Sequence, residues 1–574
     1  MKKRFIATLL TTAMVASMLS ACGDSGTSNP TGAQSVPTDT TAATESAASD
    51  SSGDVVRLQI LDMPANQSGV ITGWFMDYIK DQVGVELDFL PTGDQGEQKL
   101  QALMASGELP DIVVFKDDKQ VINAVAGDML LAYDDYKDLV PNLYNNAATS
   151  LQYYADNMSN GQGKAYAVGV ELKNAVEQSG NTGGLSVRYD IYKKIGSPKA
   201  NKMEDWLPII QKMQEAYPTN EDGQKVYGIS LFGDWDRSYM TLGMFFSPYV
   251  GTNINNEATL AQVDYTDHER ISSILDDGTG YMRFLNFMFQ ANQMGLVDPD
   301  SMTQRFSDYT QKATDGRILF GLGDWGTTFT KEQQEKGEGF RYIATENEKI
   351  LLSPIQETGK GWSVGVSKAT KYPEKAMALV NLLYDYETAM TEQNGLRGQS
   401  WDLDENNQPY ITKEGYKNWV ANSDKMGKEK GYNVFIAFTG ESINKDIGCP
   451  ISYGYWEKPD YAPADTKLVA DWKADYGFDS VLEYEYSKDN VIVRNFVPQP
   501  TLNDEMEQIS ARVGDVIKTY SWKMIFAKDQ SEYDSLCQEM RQKADDLGIN
   551  DFVDWYKESY ETNKAFAEKY ITEN

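Results

Sequence analysis

Two loops of the chain place a tryptophan between aspartate and glycine or aspartate. They are residues 233–237, Gly-Asp-Trp-Asp-Arg, and residues 323–326, Gly-Asp-Trp-Gly. An indole ring stacks on apolar C–H faces, and a carboxylate accepts hydrogen bonds from hydroxyl groups. A sugar offers both, so the predicted ligand-binding residues are Asp234, Trp235, Asp324 and Trp325. The alternative is that each tryptophan packs its own loop while the aspartate caps the next helix.

Two further loops, residues 395–401 and 453–457, are rich in aromatic side chains. Their candidate ligand-binding residues are Arg397, Trp401, Tyr453 and Trp456. Arg397 and Arg188 could hold a carboxylate of an acidic sugar, because a guanidinium group binds carboxylate through two parallel hydrogen bonds. Lys116 and Asp117 are candidates by position, since they follow a predicted strand at residues 111–115.

The scarcity of histidine and cysteine excludes several kinds of site. The sequence has one histidine, His268, and three cysteines. Zinc sites of the usual Cys/His type are excluded, and a catalytic triad would need His268, whose polar neighbours predict the start of an exposed helix. Paired carboxylates, as in glycosidases, stay open because acidic residues are abundant. Cys449 and Cys537 could form a disulfide or remain free thiols.

The first 22 residues have the pattern of an export signal. Three basic residues precede an apolar run that ends in Leu-Ser-Ala-Cys at residues 19–22. The run is too short to span a membrane, and its small residues before Cys22 are typical of bacterial lipoproteins, which are cleaved before the cysteine and acylated on it. We therefore expect Cys22 to carry a lipid anchor, palmitate included, on the extracellular face of the cell membrane. The alternative is an ordinary cleaved signal.

Residues 23–53 are predicted to be a disordered tether. They consist of Ser, Thr, Ala, Gly and Pro with a few acidic residues and no aromatic residue. Such a segment cannot bury enough apolar surface to offset the entropy of ordering. The body, residues 54–574, is too long for one simple core. The net charge of −32 argues against nucleic acid as a partner, because nucleic acid requires a basic face.

The body begins with alternating strands and helices. Strands are predicted at residues 55–61, 85–90 and 111–115, and helices at residues 73–83 and 95–106. This order predicts β-α-β units with a parallel sheet, whose ligands bind beyond the carboxyl ends of the strands.

Residues 106–112, Ser-Gly-Glu-Leu-Pro-Asp-Ile, resemble an element of the extracellular solute-binding proteins. These are the maltose-binding-type receptors of ABC importers. The carboxyl-terminal residues 522–556 resemble a large lipoprotein subgroup that mostly imports oligosaccharides. Gly169 stands where the family usually has proline. Other similar segments follow in the family's order at residues 163–169, 185–190, 194–196, 204–206, 295–299, 316–320 and 372–376.

The resemblance implies an α/β fold of two lobes, with a ligand cleft between them and several hinge crossings. The expected first lobe is residues 54–168 plus 318–375, and the second is residues 169–317 plus 376–520, followed by C-terminal helices at 521–574. Trp325 and Trp362 would lie in segments that cross between the lobes, and Trp362 is a further candidate ligand-binding residue. In the family, Arg188 and Asp190 would have structural roles.

The function that the resemblance implies is capture of an extracellular oligosaccharide by a monomeric binding protein, which delivers it to membrane permease subunits. No enzymatic activity and no cofactor are expected. The alternatives are an extracellular carbohydrate-active enzyme, a lyase or hydrolase, and a receptor for peptides or another solute.

Calcium is considered because alginate-binding relatives carry a calcium loop. The corresponding residues 218–224 lack the leading aspartate. Residues 402–407 begin like a calcium loop, but Asn407 replaces the glycine and Lys413 replaces the bidentate glutamate. A hairpin turn on residues 406–407 is the alternative, and no metal is predicted.

Overall fold

The computed structural model describes most of the chain after the N-terminal region. The described residues are 55–64, 67–92, 96–175, 185–233, 246–253, 260–322, 329–347, 349–352, 354–359, 361–431, 436–495, 497–498 and 500–570. The predicted signal, Cys22 and the predicted tether lie outside these ranges.

The described strands are β1 (Val56–Asp62), β2 (Gly69–Val70), β3 (Val85–Phe89), β4 (Ile112–Phe115), β5 (Val168–Gly169), β6 (Leu185–Arg188), β7 (Tyr227–Ile229), β8 (Thr252–Asn253), β9 (Ala261–Asp264), β10 (Arg270–Ser273), β11 (Ile318–Leu322), β12 (Phe340–Tyr342), β13 (Ile350–Leu352), β14 (Ser363–Val366), β15 (Trp401–Leu403), β16 (Pro409–Ile411), β17 (Ile443–Asn444), β18 (Cys449–Pro450) and β19 (Val491–Val493). The α-helices are α1 (Trp74–Val83), α2 (Gly96–Ser106), α3 (Asp118–Ala126), α4 (Pro141–Asn146), α5 (Ala148–Asn157), α6 (Tyr189–Lys194), α7 (Trp206–Ala216), α8 (Gly280–Gln293), α9 (Phe306–Thr314), α10 (Lys331–Glu335), α11 (Pro373–Leu383), α12 (Tyr386–Asn394), α13 (Lys413–Asn418), α14 (Ser423–Lys430), α15 (Lys467–Tyr476), α16 (Val481–Tyr486), α17 (Asp504–Ile525), α18 (Gln530–Asp546) and α19 (Ile549–Ala567).

A six-stranded sheet in the order β2-β3-β1-β4-β14-β5 organises the first lobe. β1 pairs in parallel with both β3 and β4, with Ile60 opposite Phe89 on one side and Ile112 on the other. β14 then pairs antiparallel with β4 and β5. The predicted first three strands, the two helices between them and their parallel pairing are confirmed.

Both faces of this sheet are buried, because successive side chains of a strand point to opposite sides. In β4, Ile112 and Val114 enter one core together with helices α1, α11 and α12. Val113 and Phe115 enter a second core, which α3 and α5 cover. A sheet with helices on both faces is the arrangement expected for α/β proteins.

The second lobe contains a four-stranded sheet in the order β12-β6-β11-β7. β6 is antiparallel to both β11 and β12, whereas β11 is parallel to β7. Its core includes Trp206, Ile210 and Phe320. The Trp206 indole N–H donates to Thr345 Oγ1 at 3.0 Å, so this fully buried ring keeps its polar atom bonded.

Helix α19 and the residues directly after it pack against both lobes. Phe552 and Tyr556, near the start of α19, lie in the core of the second lobe. At the other end, the rings of Phe566 and Tyr570 lie 5.6 and 5.7 Å from the ring of Tyr153 on α5. Tyr570 is therefore part of the core that α3 and α5 cover in the first lobe. We call residues 566–570 the C-terminal clasp.

The packing differs from the expected lobe boundaries at two segments. Residues 318–322 are expected in the first lobe, but as β11 they pair with β6 and β7 in the second sheet. Residues 376–456 are expected in the second lobe, yet Val380, Phe438 and Trp456 share a core with Ile60 of β1. The C-terminal helices begin at residue 504 with α17, earlier than the expected residue 521.

Three local predictions concern His268, the turn at residues 406–407 and the two cysteines of the body. His268 lies in the turn between β9 and β10 with φ +52°, so the predicted helix start is wrong. The hairpin turn on residues 406–407 is confirmed, with Asn407 at φ +61° and Asp404 Oδ1 accepting from the backbone N–H of Gln408 at 2.8 Å. Cys449 and Cys537 are free thiols, and Cys449 Sγ donates to Gln408 Oε1 at 3.0 Å.

Candidate functional site

The carboxyl ends of β1, β3 and β4 meet at one edge of the first sheet, because these strands are parallel and in register. Two polar segments follow that edge, the first turn of α2 and the start of α3. They contribute Glu97, Lys116, Asp117, Asp118 and Gln120. We call these five residues the edge cluster. The predicted candidates Lys116 and Asp117 are both in it.

Gln120 holds the edge cluster together from a buried position. Its Nε2 donates to both carboxylate oxygens of Glu97, at 3.0 and 3.2 Å, while its Oε1 accepts from the backbone N–H of Lys116 at 3.0 Å. The Lys116 ammonium forms an ion pair with the same Glu97 carboxylate. The positive charge of Lys116 is therefore already balanced inside the cluster.

Asp117 is the N-cap of α3. Its Oδ1 accepts from the backbone N–H of Gln120 at 2.9 Å, which satisfies one of the unpaired donors at the helix start. Burial raises the pKa of the Asp117 carboxyl above its ordinary value, although the hydrogen bond from Gln120 acts in the opposite direction. Asp117 therefore acts as a helix cap in this structure.

Asp118 is the most perturbed carboxyl of the edge cluster, and sequence reasoning missed it. Its Oδ2 accepts from the Tyr153 hydroxyl at 3.1 Å, and its Oδ1 is buried without a hydrogen-bond partner in the described part of the chain. Burial raises the pKa of Asp118 to about 6, and the nearby Asp117 charge adds to the rise. The available signal was the doubled aspartate directly after the strand.

An open recess of about 580 Å³ lies beside α3, within the range of volumes that ligand pockets usually have. It joins the two lobes, because Lys119 comes from the first lobe and the other lining residues precede or begin α17. Lys119 Nζ is 2.8 Å from Glu507 and 3.4 Å from Asp504. Its lining residues are Lys119, Thr501, Leu502, Asn503, Asp504 and Glu505. The edge cluster therefore lies next to a surface of the second lobe.

The aromatic candidates of residues 395–456 gather with one another beside the β15–β16 hairpin. The rings of Trp401 and Trp456 are 5.9 Å apart, and the Arg397 guanidinium lies 5.6 Å from the Trp401 ring. Trp401 is only 1% exposed, and its indole N–H donates to Gly395 O at 2.8 Å. Trp456 donates to Pro450 O, and the Tyr453 backbone N–H donates to Asn394 Oδ1. The ligand role predicted for these residues stays a prediction. In this structure, Trp401 and Trp456 pack in the core of the first lobe.

The two arginines predicted to bind a ligand carboxylate both hold a protein carboxylate. Arg188 Nε and Nη2 donate to the two oxygens of Asp190 at 3.0 and 2.9 Å, in a side chain only 3% exposed. Arg397 Nη1 lies 2.5 Å from Glu387 and its Nε lies 3.2 Å from Asp402. Arg188 and Asp190, for which the family resemblance implied structural roles, therefore bind each other.

Trp362 lies directly before β14, half-buried against the core of the first lobe, and its carbonyl oxygen accepts from the Val170 N–H. The remaining predicted binders, Asp234, Trp235, Asp324 and Trp325, lie outside the described residues.

A second, smaller recess of about 50 Å³ lies beside the segment that follows β5. Leu172, Asn174 and Phe438 line it, and Glu357 closes one side through a 3.1 Å ion pair with Lys445. Asn174 is used by the protein itself, since its side chain exchanges two hydrogen bonds with the backbone of Ile443. We place the candidate site at the larger recess and the edge cluster, where strand ends and both lobes coincide.

Among the described residues, no group of three His, Cys, Asp or Glu side chains lies close enough together to hold a metal ion. In the loop at residues 218–224, the Asn220 side chain accepts from the Gln224 N–H at 2.8 Å and donates to Asp315 O at 2.8 Å. This loop is fixed by its own hydrogen bonds.

No known family model and no curated protein matches the sequence, but solved structures match the fold over nearly its whole length. An alginate-binding protein, AlgQ2, and FusA, a substrate-binding protein of an ABC transporter from S. pneumoniae, each superpose with a TM-score of 0.58 at 14% and 15% identity. An extracellular solute-binding protein from Bifidobacterium longum subsp. infantis gives 0.54 at 13% identity. Each match covers 89% of this chain and 99% of the other. This chain has the solute-binding-protein fold.

The two-lobed α/β architecture predicted from the sequence is therefore confirmed. The larger recess lies where Lys119 of the first lobe contacts α17 of the second lobe. Within the described ranges, no helix combines the length and the apolar character that crossing a bilayer requires.

Proposed function

We propose that this protein is the substrate-binding component of an ABC importer, and that it captures an extracellular oligosaccharide between its two lobes. The observation that carries the proposal is the match over 99% of the length of two proteins, one described as alginate-binding and the other as an ABC-transporter substrate-binding protein in complex with kestose. A further neighbour with a TM-score of 0.52 is described as binding HMO.

The edge cluster supplies groups that suit a polyhydroxylated ligand. Charge-assisted hydrogen bonds from hydroxyls to carboxylates are about twice as strong as neutral ones, and they strengthen when closure removes water. Asp117 and Glu97 offer carboxylates at the strand ends, and the recess beside Lys119 brings residues 501–505 of the second lobe near them. A ligand that contacts both lobes stabilises the closed form by its differential affinity for that form.

The proposal includes the lipid anchor at Cys22 and delivery to permease subunits at the extracellular face of the membrane. The chain acts as a monomer and as a binder, without turning the sugar over. A tether that keeps the binder beside its permease raises the effective concentration of loaded protein.

Titration of the full-length protein with a panel of oligosaccharides, followed by tryptophan fluorescence, tests the proposal. A saturable signal with chemically unchanged sugar after prolonged incubation is expected. Conversion of the sugar would favour the carbohydrate-active enzyme, and saturation by peptides alone would favour a receptor for another solute.

Two variants test whether the sugar binds at the edge cluster. Asp117→Ala is expected to weaken sugar binding at least fivefold. Asp81→Ala, which removes an exposed carboxylate from α1, is expected to leave the affinity unchanged. Equal affinities in both variants would show that the sugar binds away from the edge cluster.

A further inference from the structure

The charges around the candidate site determine which ligand charge it can accept. The edge cluster holds three carboxylates, from Glu97, Asp117 and Asp118, against one ammonium, from Lys116. That ammonium is ion-paired with Glu97. In the described part of the site, an incoming carboxylate would therefore meet like charge and a cation that is already balanced.

The neighbouring cation, the Lys119 ammonium, is also ion-paired. Lys119 lies at the wall of the larger recess, and two acidic groups of α17, Glu507 and Asp504, are within 2.8 and 3.4 Å of its Nζ. The recess wall also includes Glu505. The lobe that faces the edge cluster thus adds negative charge to it.

The arginines that could have recognised an acidic sugar are committed elsewhere. The Arg188 guanidinium donates to the Asp190 carboxylate and, at 3.3 Å, to Gly316 O. It lies 4.7 Å from the Phe329 ring. Arg397 is shared between Glu387 and Asp402. A ligand carboxylate at either group would compete with a protein carboxylate that is held at hydrogen-bonding distance.

We infer that the site selects uncharged oligosaccharides and rejects their uronic-acid counterparts. This inference rests on the proposed function and specifies its substrate class. Hydroxyl groups of a neutral sugar donate to the Glu97 and Asp117 carboxylates, whereas a uronate brings a charge that repels them and finds Lys116 and Lys119 already ion-paired.

The test compares neutral oligosaccharides with uronates of the same length and linkage, titrated into the full-length protein by calorimetry. The neutral member of a pair binds at least tenfold more tightly. A uronate that binds as tightly as its neutral counterpart, or more tightly, overturns the inference and leaves the proposed function standing. Failure of every sugar to bind overturns the proposed function and this inference with it.

A pair of matched variants adds a second readout. Glu97→Gln releases Lys116 at the site, so uronate affinity rises by at least threefold relative to wild type. Glu86→Gln makes the same change of charge at the opposite end of β3, where Glu86 pairs with Lys80 and Arg57, and leaves uronate affinity unchanged. An equal response of the two variants would show that the effect is one of overall charge, which overturns the local argument.

Discussion

Asp118→Asn isolates the cost of ionising a buried carboxyl at the candidate site. The folded-state pKa of Asp118 is about 6, against an ordinary value of 3.8. Folded protein therefore binds a proton between these values that unfolded protein releases, and stability falls as the pH rises through about 6. The difference between these two pKa values lowers the free energy of unfolding by about 3 kcal/mol at pH 8, about 1.5 kcal/mol at pH 5 and almost nothing below pH 3.5.

Asparagine keeps an oxygen that can accept from the Tyr153 hydroxyl but carries no charge. The variant should therefore gain stability over wild type as the pH rises, by about 3 kcal/mol between pH 3.5 and pH 8. The acidic groups that face Asp118 are Asp117 on its own segment and the Tyr153 and Tyr154 hydroxyls on α5, and burial raises the pKa of both tyrosines. Across this range the tyrosines stay neutral, so Asp118 dominates the difference.

The assay is urea unfolding followed by circular dichroism at several pH values, for wild type, Asp118→Asn and Asp81→Asn. Asp81 supplies an exposed carboxylate on α1 as the control, and its variant should track wild type at every pH. A difference between Asp118→Asn and wild type that does not change with pH would refute the reasoning, because it would mean that the Asp118 carboxyl ionises as freely as an exposed one.

Four further outcomes are expected. Tyr570→Ala lowers the free energy of unfolding by about 3–5 kcal/mol in urea, whereas Tyr372→Ala, at a 44% exposed site, costs under about 1 kcal/mol; equal costs would contradict the clasp. Arg188→Ala costs about 3–5 kcal/mol and Arg270→Ala, in an exposed pair, about 1 kcal/mol or less. Trp235→Ala and Trp325→Ala each weaken sugar binding by about 1–3 kcal/mol, and unchanged affinity in both would place the cleft elsewhere. Cys22→Ser moves the protein from the membrane fraction to the soluble fraction at unchanged sugar affinity; retention in the membrane would disprove the anchor.

Much of the first lobe is predictable from sequence because its signals are local. The run Val56–Asp62 and the alternation in Val85–Phe89 each mark a strand, and the helices between them end at glycines that adopt positive φ, Gly84 and Gly107. Short crossovers then leave a parallel sheet as the simplest topology. The position of Lys116 and Asp117 at a strand end follows from the same reasoning.

The lobe boundaries are not predictable in this way, since they depend on long-range pairing. Nothing near residues 318–322 indicates that β11 will pair with β6, more than 130 residues earlier in the chain. The aromatic loops show the same limit for function. A tryptophan such as Trp401 looks like a stacking platform until its packing is known, and only the tertiary structure shows that its indole N–H is bonded to Gly395.

The C-terminal clasp has a consequence for how the chain acquires its structure. Tyr570 donates to Asp156, 414 residues earlier, at 2.5 Å, so one core of the first lobe includes a residue that is very distant in sequence from the rest of that core. Contacts of such separation form late, because closing a long loop costs entropy before packing repays it. The β-α-β units at the start of the body can form early, but the core that they share with α5 stays incomplete until α19 and the clasp dock on it. Completion of the first lobe is therefore coupled to folding of the second lobe, in which α19 begins.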